Sequence, residues 1–301
     1  MNYIIGYLEY RKCEEKNFIY KVLNKIFFKI KVIYIKNDRI KIIINNKKIG
    51  NKRVKKIIDT IKKIGINKVV ISEDLKKDIN GRLNLFEKYN EKILMKNFII
   101  PILGKFFNDQ NIDIRFEDIY ITVNDDKNKD IIIDIAQNVK SINMVTTSIK
   151  KMRRLCNKLE KEGILFSISN NSQKSLKRAK LIVNFDYNSE TFNYYDINRY
   201  ATIVNLNKEK INLDKCFGGT IIENIKIDYN NENLNLKNYD KTEIYESYIC
   251  NDNYFTIKEK CNKDKCRIVG FIGKNGYIWK YFLNYFNILL LCIVKNKLVM
   301  L

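Results

Sequence analysis

The stretch ITVNDDKNKD, residues 121–130, decides how this chain is read. Its start completes the β-branched run DIYITVN (118–124), which predicts a strand. Its end opens NKDIIIDIAQNV (128–139), which predicts a helix. In many α/β proteins a strand that turns directly into a helix cradles a phosphate on glycine backbone. Here the turn holds aspartate, asparagine and lysine, and no glycine.

The alternation continues downstream. INMVTT (142–147) predicts a strand, and SIKKMRRLCNKLEKEG (148–163) a helix with Ser148 as N-cap and Gly163 as its stop. ILFSISN (164–170) reads as a strand, SQKSLKRA (172–179) as a short helix and KLIVNFD (180–186) as a strand. A loop rich in Tyr and Asn leads to a further strand, ATIVNLN (201–207). Strands and helices alternating at short spacing imply parallel pairing with right-handed crossovers.

Upstream, KNFIYKVLNKIFFKI (16–30) has mixed helical spacing, and 31–47 reads as a hairpin about Lys36-Asn37-Asp38-Arg39. Arg53–Ile64 predicts a helix closed by Gly65, 68–72 a strand, and 78–90 a loop or weak helix. The apolar helix at 91–108 contains the only proline, Pro101, which predicts a kink or a break just before it. After 208 the rhythm fades into a polar connector at 228–242. CRIVGFIGKNGYIW (266–279) then reads as a strand, a glycine turn and a second strand or helix start. The tail from Tyr281 to Val294 is uncharged for 14 residues. That is shorter than the ~20 residues of a membrane span, so a buried core element is expected rather than membrane contact.

Composition narrows the chemistry. Apolar residues make up 46% of the 301, enough for a packed core. With no histidine, a Ser-His-Asp triad, a Cys-His pair and a His-ligated metal are all excluded. Acid–base work would fall to Asp, Glu, Lys, Tyr or Cys. The net charge of +22 suits an anionic partner or nucleic acid, although Ile, Lys, Asn and Tyr are heavily used throughout, as codon bias alone would produce. The seven cysteines are scattered, with no paired Cys-x2-Cys knuckle, and the N-terminus lacks a signal-peptide pattern. Reduced thiols in a cytoplasmic protein are therefore expected, and no metal site, although Cys250, Cys261 and Cys266 are the closest set.

The segment 118–207 resembles the nicotinamide-cofactor Rossmann domain of shikimate dehydrogenases and glutamyl-tRNA reductases. The resemblance lies in VTTSIKKMRRLCNKL (145–159), a polar strand end followed by a basic helix with Ile149, Met152, Leu155, Cys156 and Leu159 at apolar spacing. It extends to LIVNFD (181–186) after Ala179-Lys180. It implies an α/β fold with a Rossmann-like parallel sheet. An N-terminal α/β region with a hairpin would cover 1–112, the Rossmann-like domain 113–210 and a mixed C-terminal region 211–301.

In that register the family's glycine fingerprint falls on Asn124, Asp126 and Lys129. Asp126 would set a carboxylate where the pyrophosphate meets the helix N-terminus, and it would serve instead as a cap. The acid or arginine that holds the adenosine ribose would stand where Thr146 and Thr147 are. GFIGKNG (270–276) spaces its glycines as a turn between strands, and no G-x-x-x-x-G-K-[ST] loop occurs.

The candidate crevice is thus lined by Asn124, Asp126, Thr146, Thr147, Ser169 and Asp186, and the candidate anion-binding face is Lys150, Lys151, Arg153, Arg154 and Lys158. The expected function is a non-catalytic or degenerate Rossmann-like ligand-binding or interaction protein with no cofactor. The alternatives are an NAD(P)-dependent oxidoreductase with a divergent phosphate loop, and a basic nucleic-acid-binding protein.

Overall fold

A computed structural model describes residues 4–10, 29–36, 39–44, 49–79, 92–108, 111–170, 172–213, 216–274 and 276–278. They fall into two compact units, one drawn from 1–90 and 229–265, the other from 91–228 and 266–301. Residues 229–265 thus belong with the N-terminal unit and 91–112 with the second, a division that interleaves the three consecutive regions expected from the sequence.

The first unit is built on β1 (Ile5–Tyr10), β2 (Ile30–Lys36), β3 (Arg39–Ile44) and β4 (Lys68–Ile71). The sheet order is β2-β3-β1-β4. β2 and β3 form the expected antiparallel hairpin, and β1 runs parallel to both β3 and β4. The alternation of β3 puts Ile40, Ile42 and Ile44 on one face, where they pack with Leu8 of β1. Against them lies α1 (Asn51–Ile64), whose Val54, Ile57 and Ile61 sit at helical spacing on its buried side. Gly65 ends α1 at φ 79, a left-handed conformation natural to glycine. α2 (Glu73–Ile79) adds Leu75 and Ile79 to the same core. Helices Lys241–Ile249 and Tyr254–Lys263 also belong here, N-capped by the Asp240 and Asn253 side chains. Apart from Lys29 and Ile30, the segment 16–30 with its mixed helical spacing lies outside the described residues, as does the 281–294 tail.

The second unit holds β5 (Asp118–Thr122), β6 (Ser141–Thr146), β7 (Phe166–Asn170), β8 (Leu181–Asn184), β9 (Thr202–Asn205) and β10 (Thr220–Asp228). β11 (Arg267–Gly273) and β12 (Gly276–Tyr277) complete its sheet. The eight strands lie in the order β12-β11-β10-β9-β8-β5-β6-β7. β5 to β10 are mutually parallel, and β11 and β12 add an antiparallel edge through the expected glycine turn. Counted along the chain, the six parallel strands stand in the spatial order 3-2-1-4-5-6. That is the order of doubly wound dinucleotide-binding sheets, with its reversal between β5 and β8.

The helices of this unit are α3 (Ile93–Asn97), α4 (Ile99–Asn108), α5 (Lys129–Ala136), α6 (Ile149–Lys161) and α7 (Ser189–Asn193). The apolar segment 91–108 breaks at Phe98, leaving Pro101 in the first turn of α4, where its missing N–H is not needed. α6 buries Met152, Leu155 and Leu159 as the spacing predicts, while Ile149 remains 42% exposed. The short helix expected over 172–179 is a single 3-10 turn, Gln173–Leu176. The expected loop before β9 contains α7, capped by Asn188, and β10 lies where the rhythm had faded.

One close approach in this sheet is testable. A Cβ on Gly219, just before β10, would stand 2.1 Å from the Ala201 carbonyl oxygen, whereas one on Gly104 within α4 meets nothing within 4 Å. Gly219→Ala should destabilise the protein by about 1–3 kcal/mol, and Gly104→Ala should stabilise it by about 0.5–1 kcal/mol. Equilibrium denaturation of the two variants checks both signs.

Candidate functional site

In a doubly wound sheet, ligands approach the carboxyl ends of the strands at the point where strand order reverses. Those ends are polar here, and they bond chiefly to one another. Thr122 of β5 donates its hydroxyl to Asn184 Oδ1 of β8 at 2.7 Å. Asn184 Nδ2 donates to Asn205 Oδ1 of β9 at 2.9 Å, and Asn205 Nδ2 to Glu223 Oε2 of β10 at 2.9 Å. Glu223 sits between shifted registers of β10 and β11, a bulge that re-aims its side chain.

The Lys92 ammonium completes this ladder, at 2.8 Å from both Glu223 Oε2 and the Asn205 carbonyl. Lys92 reaches it from a left-handed backbone (φ 53) at the start of α3. Burial lowers its pKa, with the Glu223 carboxylate pulling the other way. Asn184 also anchors the next segment, accepting the Tyr187 N–H at 2.9 Å and donating to its carbonyl at 2.9 Å. Tyr187 stacks on Tyr195 with ring centroids 5.6 Å apart, and their hydroxyls meet at 3.2 Å. The side chains from Thr122 to Lys92 are all buried.

The turn from β5 into α5 is built around a carboxylate. The Asn124 N–H donates to Asp186 Oδ2 at 2.8 Å. Asn124 Oδ1 accepts the Thr147 N–H at 3.0 Å and its hydroxyl at 2.8 Å, joining the ends of β5 and β6. Asp125 takes the Lys127 N–H at 3.0 Å and its ammonium at 2.8 Å. Burial raises the Asp186 pKa and the nearby Asp125 charge adds to this, while the backbone N–H groups of Asn124 and Asp125 and the Lys127 charge oppose it. Asp125, against some burial cost, is held below the usual carboxylate range by Lys127. Residues 123–128 form the turn with no positive φ, so glycine is not required for its shape.

Of the residues expected to line the crevice, Asn124, Thr147 and Asp186 are joined directly, and Thr146 lies beside them with its hydroxyl accepting the Ser148 N–H at 3.0 Å. Ser169 bonds instead to Ser175 at 2.8 Å at the end of β7. The cap expected of Asp126 is not made: Asn128 holds the N-cap position of α5 without a side-chain cap bond. Asp126 contributes only its carbonyl, to the Lys129 N–H at 3.1 Å, and the Asp125 side chain takes the Lys127 N–H ahead of the helix. Ser148 holds the N-cap position of α6 without a side-chain cap bond. Lys150, Lys151, Arg153, Arg154 and Lys158 are all exposed on α6, and Lys158 lies 3.9 Å from Asp130. Asn184, Asn205, Glu223 and Lys92 were not among the expected site residues. The matching strand ends LIVN and TIVN were the signal, since they place an asparagine at the same depth in adjacent strands.

Among the described residues no three His, Cys, Asp or Glu side chains are placed to hold a metal ion, and no helix is long and apolar enough to cross a membrane.

Strand order and carboxyl-edge geometry define the second unit as a Rossmann-type α/β domain. No family model matches the chain, and no curated protein matches it in sequence. Among solved structures, it is similar to shikimate dehydrogenase from Aquifex aeolicus, at 11% identity and TM-score 0.35 over 87% of this chain and 98% of that one. It is also similar to quinate dehydrogenase from Corynebacterium glutamicum in complex with NAD, at 9% identity and TM-score 0.29 over 67% and 79% of the respective chains. A Thermococcus litoralis Δ1-pyrroline-2-carboxylate reductase in complex with NADH and L-proline gives 7% identity and TM-score 0.29, over 41% of this chain and 39% of that one. At scores this low the fold assignment rests on the protein's own strand order.

Removing the ammonium should expose the ladder's weak point. Lys92→Met leaves Glu223 as an uncompensated buried charge and should cost about 3–5 kcal/mol of stability. Adding Glu223→Gln, which keeps an acceptor for Asn205, should recover more than half of that loss. Chemical denaturation of the single and double variants is the measurement. A second test uses pH. A carboxyl whose folded pKa is raised costs stability once pH passes its unfolded value, 3.8 for Asp186. The wild type should therefore lose stability relative to Asp186→Asn as pH rises from about 4 into the raised range, and the gap should stay constant above it. Denaturation midpoints against pH would contradict this if the gap closed with rising pH.

Proposed function

We propose that the second unit is a Rossmann module without dinucleotide binding, acting as a non-catalytic ligand-binding or interaction domain. The observation that carries this reading is the 2.8 Å bond from the Asn124 N–H to the Asp186 carboxylate. In a dinucleotide-binding turn the N–H groups at the helix start face a pyrophosphate, whose charge the helix dipole favours. Here the N–H groups that open the turn, those of Asn124 and Asp125 at the end of β5, are already taken by an internal carboxylate, and Asp125 is paired with Lys127. An incoming phosphate would meet the Asp186 charge and find these donors and the Lys127 ammonium engaged. The residues present therefore do not fit a pyrophosphate. The buried ladder from Thr122 to Lys92 supports the same reading, because it closes the strand ends that would otherwise line a substrate crevice. The exposed cations of α6 give such a domain a face for an anionic partner.

The competing reading, an NAD(P)-dependent oxidoreductase with a divergent loop, requires Asp186 and Asp125 to leave the turn. Calorimetric titration with NAD(H) and NADP(H) separates the two. The wild type should show no micromolar binding, and Asp126→Gly should not restore it, because Asp126 is not the residue holding the turn. Micromolar affinity accompanied by hydride transfer would overturn the proposal.

A further inference from the structure

We propose that the first unit carries a binding pocket for a small organic anion with an apolar body, independent of the Rossmann unit. The pocket has a volume of about 290 Å3 and lies on the face of the sheet opposite α1. Strand alternation puts it there: Ile40, Ile42 and Ile44 join the core with α1, so Lys41 and Ile43 point the other way. Glu9 of β1 shares their face in the β1–β3 register, and residues 236–239 form the far wall.

The floor is electrically closed. Glu9 Oε1 pairs with the Lys41 ammonium at 2.7 Å, and Oε2 accepts the Tyr239 hydroxyl at 3.1 Å. Burial, reinforced by the Glu9 charge, raises the Tyr239 pKa and keeps that hydroxyl protonated as a donor. Below it Tyr7 packs edge-on against the Tyr239 ring, with a buried hydroxyl that has no hydrogen-bond partner among the described residues. Lys237 is exposed on the wall and makes no ion pair among the described residues, so the lining keeps one positive charge. Ile43 and Leu236 supply apolar surface beside it.

The wall is also fixed in place. Asn238 takes a left-handed φ of 72, and its carbonyl accepts the Glu73 N–H at 2.9 Å, which pins the loop. A preformed pocket of this size holds roughly a dozen non-hydrogen atoms. Among the described lining residues, a cation finds Glu9 as the one carboxylate, already engaged at both oxygens. An anion finds Lys237, with room for a ring or short chain against Ile43 and Leu236.

Phenylacetate and its neutral analogue phenylacetamide test this by calorimetric titration of the full chain. Phenylacetate should bind at one site in the millimolar range, and phenylacetamide more weakly. Lys237→Ala should weaken phenylacetate about threefold and leave phenylacetamide unchanged, the size expected for one partly exposed ion pair. Ile43→Phe should fill the pocket and abolish binding of both, and Leu236→Phe blocks it from the loop side if the first variant does not fold. Silence with millimolar phenylacetate, undiminished affinity in Lys237→Ala, or retained binding in a folded pocket-filling variant would each overturn the proposal.

Discussion

The bond from the Asn124 N–H to the Asp186 carboxylate spans the two strands on which the second sheet pivots, β5 and β8. Strand order reverses there, so the crossovers diverge and would leave a crevice at the carboxyl edge. A chain with that topology must satisfy the exposed N–H groups of the first turn with something. A ligand anion is one solution, and an internal carboxylate is another. Once Asp186 supplies the anion, Asn124 is free to turn its side chain toward Thr147 and tie β5 to β6. The turn then needs neither glycine nor a positive φ, and the sequence NDDKN becomes compatible with a strand-to-helix connection that is usually glycine-rich.

The same demand for satisfied polar groups shapes the opposite half of the edge. Asn184 and Asn205 stand in register on adjacent strands, each with two donors and an acceptor that must be matched once buried. Two asparagines cannot satisfy each other completely, so the ladder runs on to a carboxylate, and the carboxylate requires a cation. Glu223 reaches it through a bulge, and Lys92 through a left-handed backbone that costs a non-glycine residue of order 1 kcal/mol. Both local irregularities are explained by the ladder they complete. A buried ion pair contributes little net stability over an apolar substitute, but a broken one is costly. The network therefore fixes register at the strand ends more than it strengthens the sheet.

How far this was readable in advance depends on the range of the interaction. The alternation from Asp118 to Leu206 is a local signal, since β8 and β9 are apolar runs buried on both faces and α6 shows a clear stripe. β1 was missed because IGYLEY places Gly6 and Glu9 inside a short run, and it becomes a central strand only through β3 and β4 on either side. β10 was missed because Glu223, Asn224 and Lys226 interrupt its pattern, and the first of these is polar for the sake of Lys92, more than a hundred residues earlier. Register with a family fingerprint located the Asn124 turn, and strand-end counting brought in Thr147 and Asp186. It could not say that Asp186 faces the Asn124 N–H, nor that Asp125 turns to Lys127 while Asp126 leaves the helix start uncapped, because those depend on side-chain direction.

Holding the turn with Asp186 also changes which process the electrostatics serve. When a ligand supplies the anion, the favourable interaction with the N–H groups appears as binding free energy, and the empty domain folds without it. When a side chain supplies it, the interaction belongs to folding and is always present. The carboxylate must then be desolvated as part of folding, which is why burial raises the Asp186 pKa even with two backbone donors and the Lys127 charge opposing it. A bound phosphate brings its negative charge from outside, whereas this turn brings both signs within one short segment, Asp125 and Lys127 beside the Asp186 site. The result is a turn whose local charges are matched internally, leaving little field to attract a further anion. The positive surplus of the chain lies outside this turn, on exposed helix faces such as those of α1 and α6.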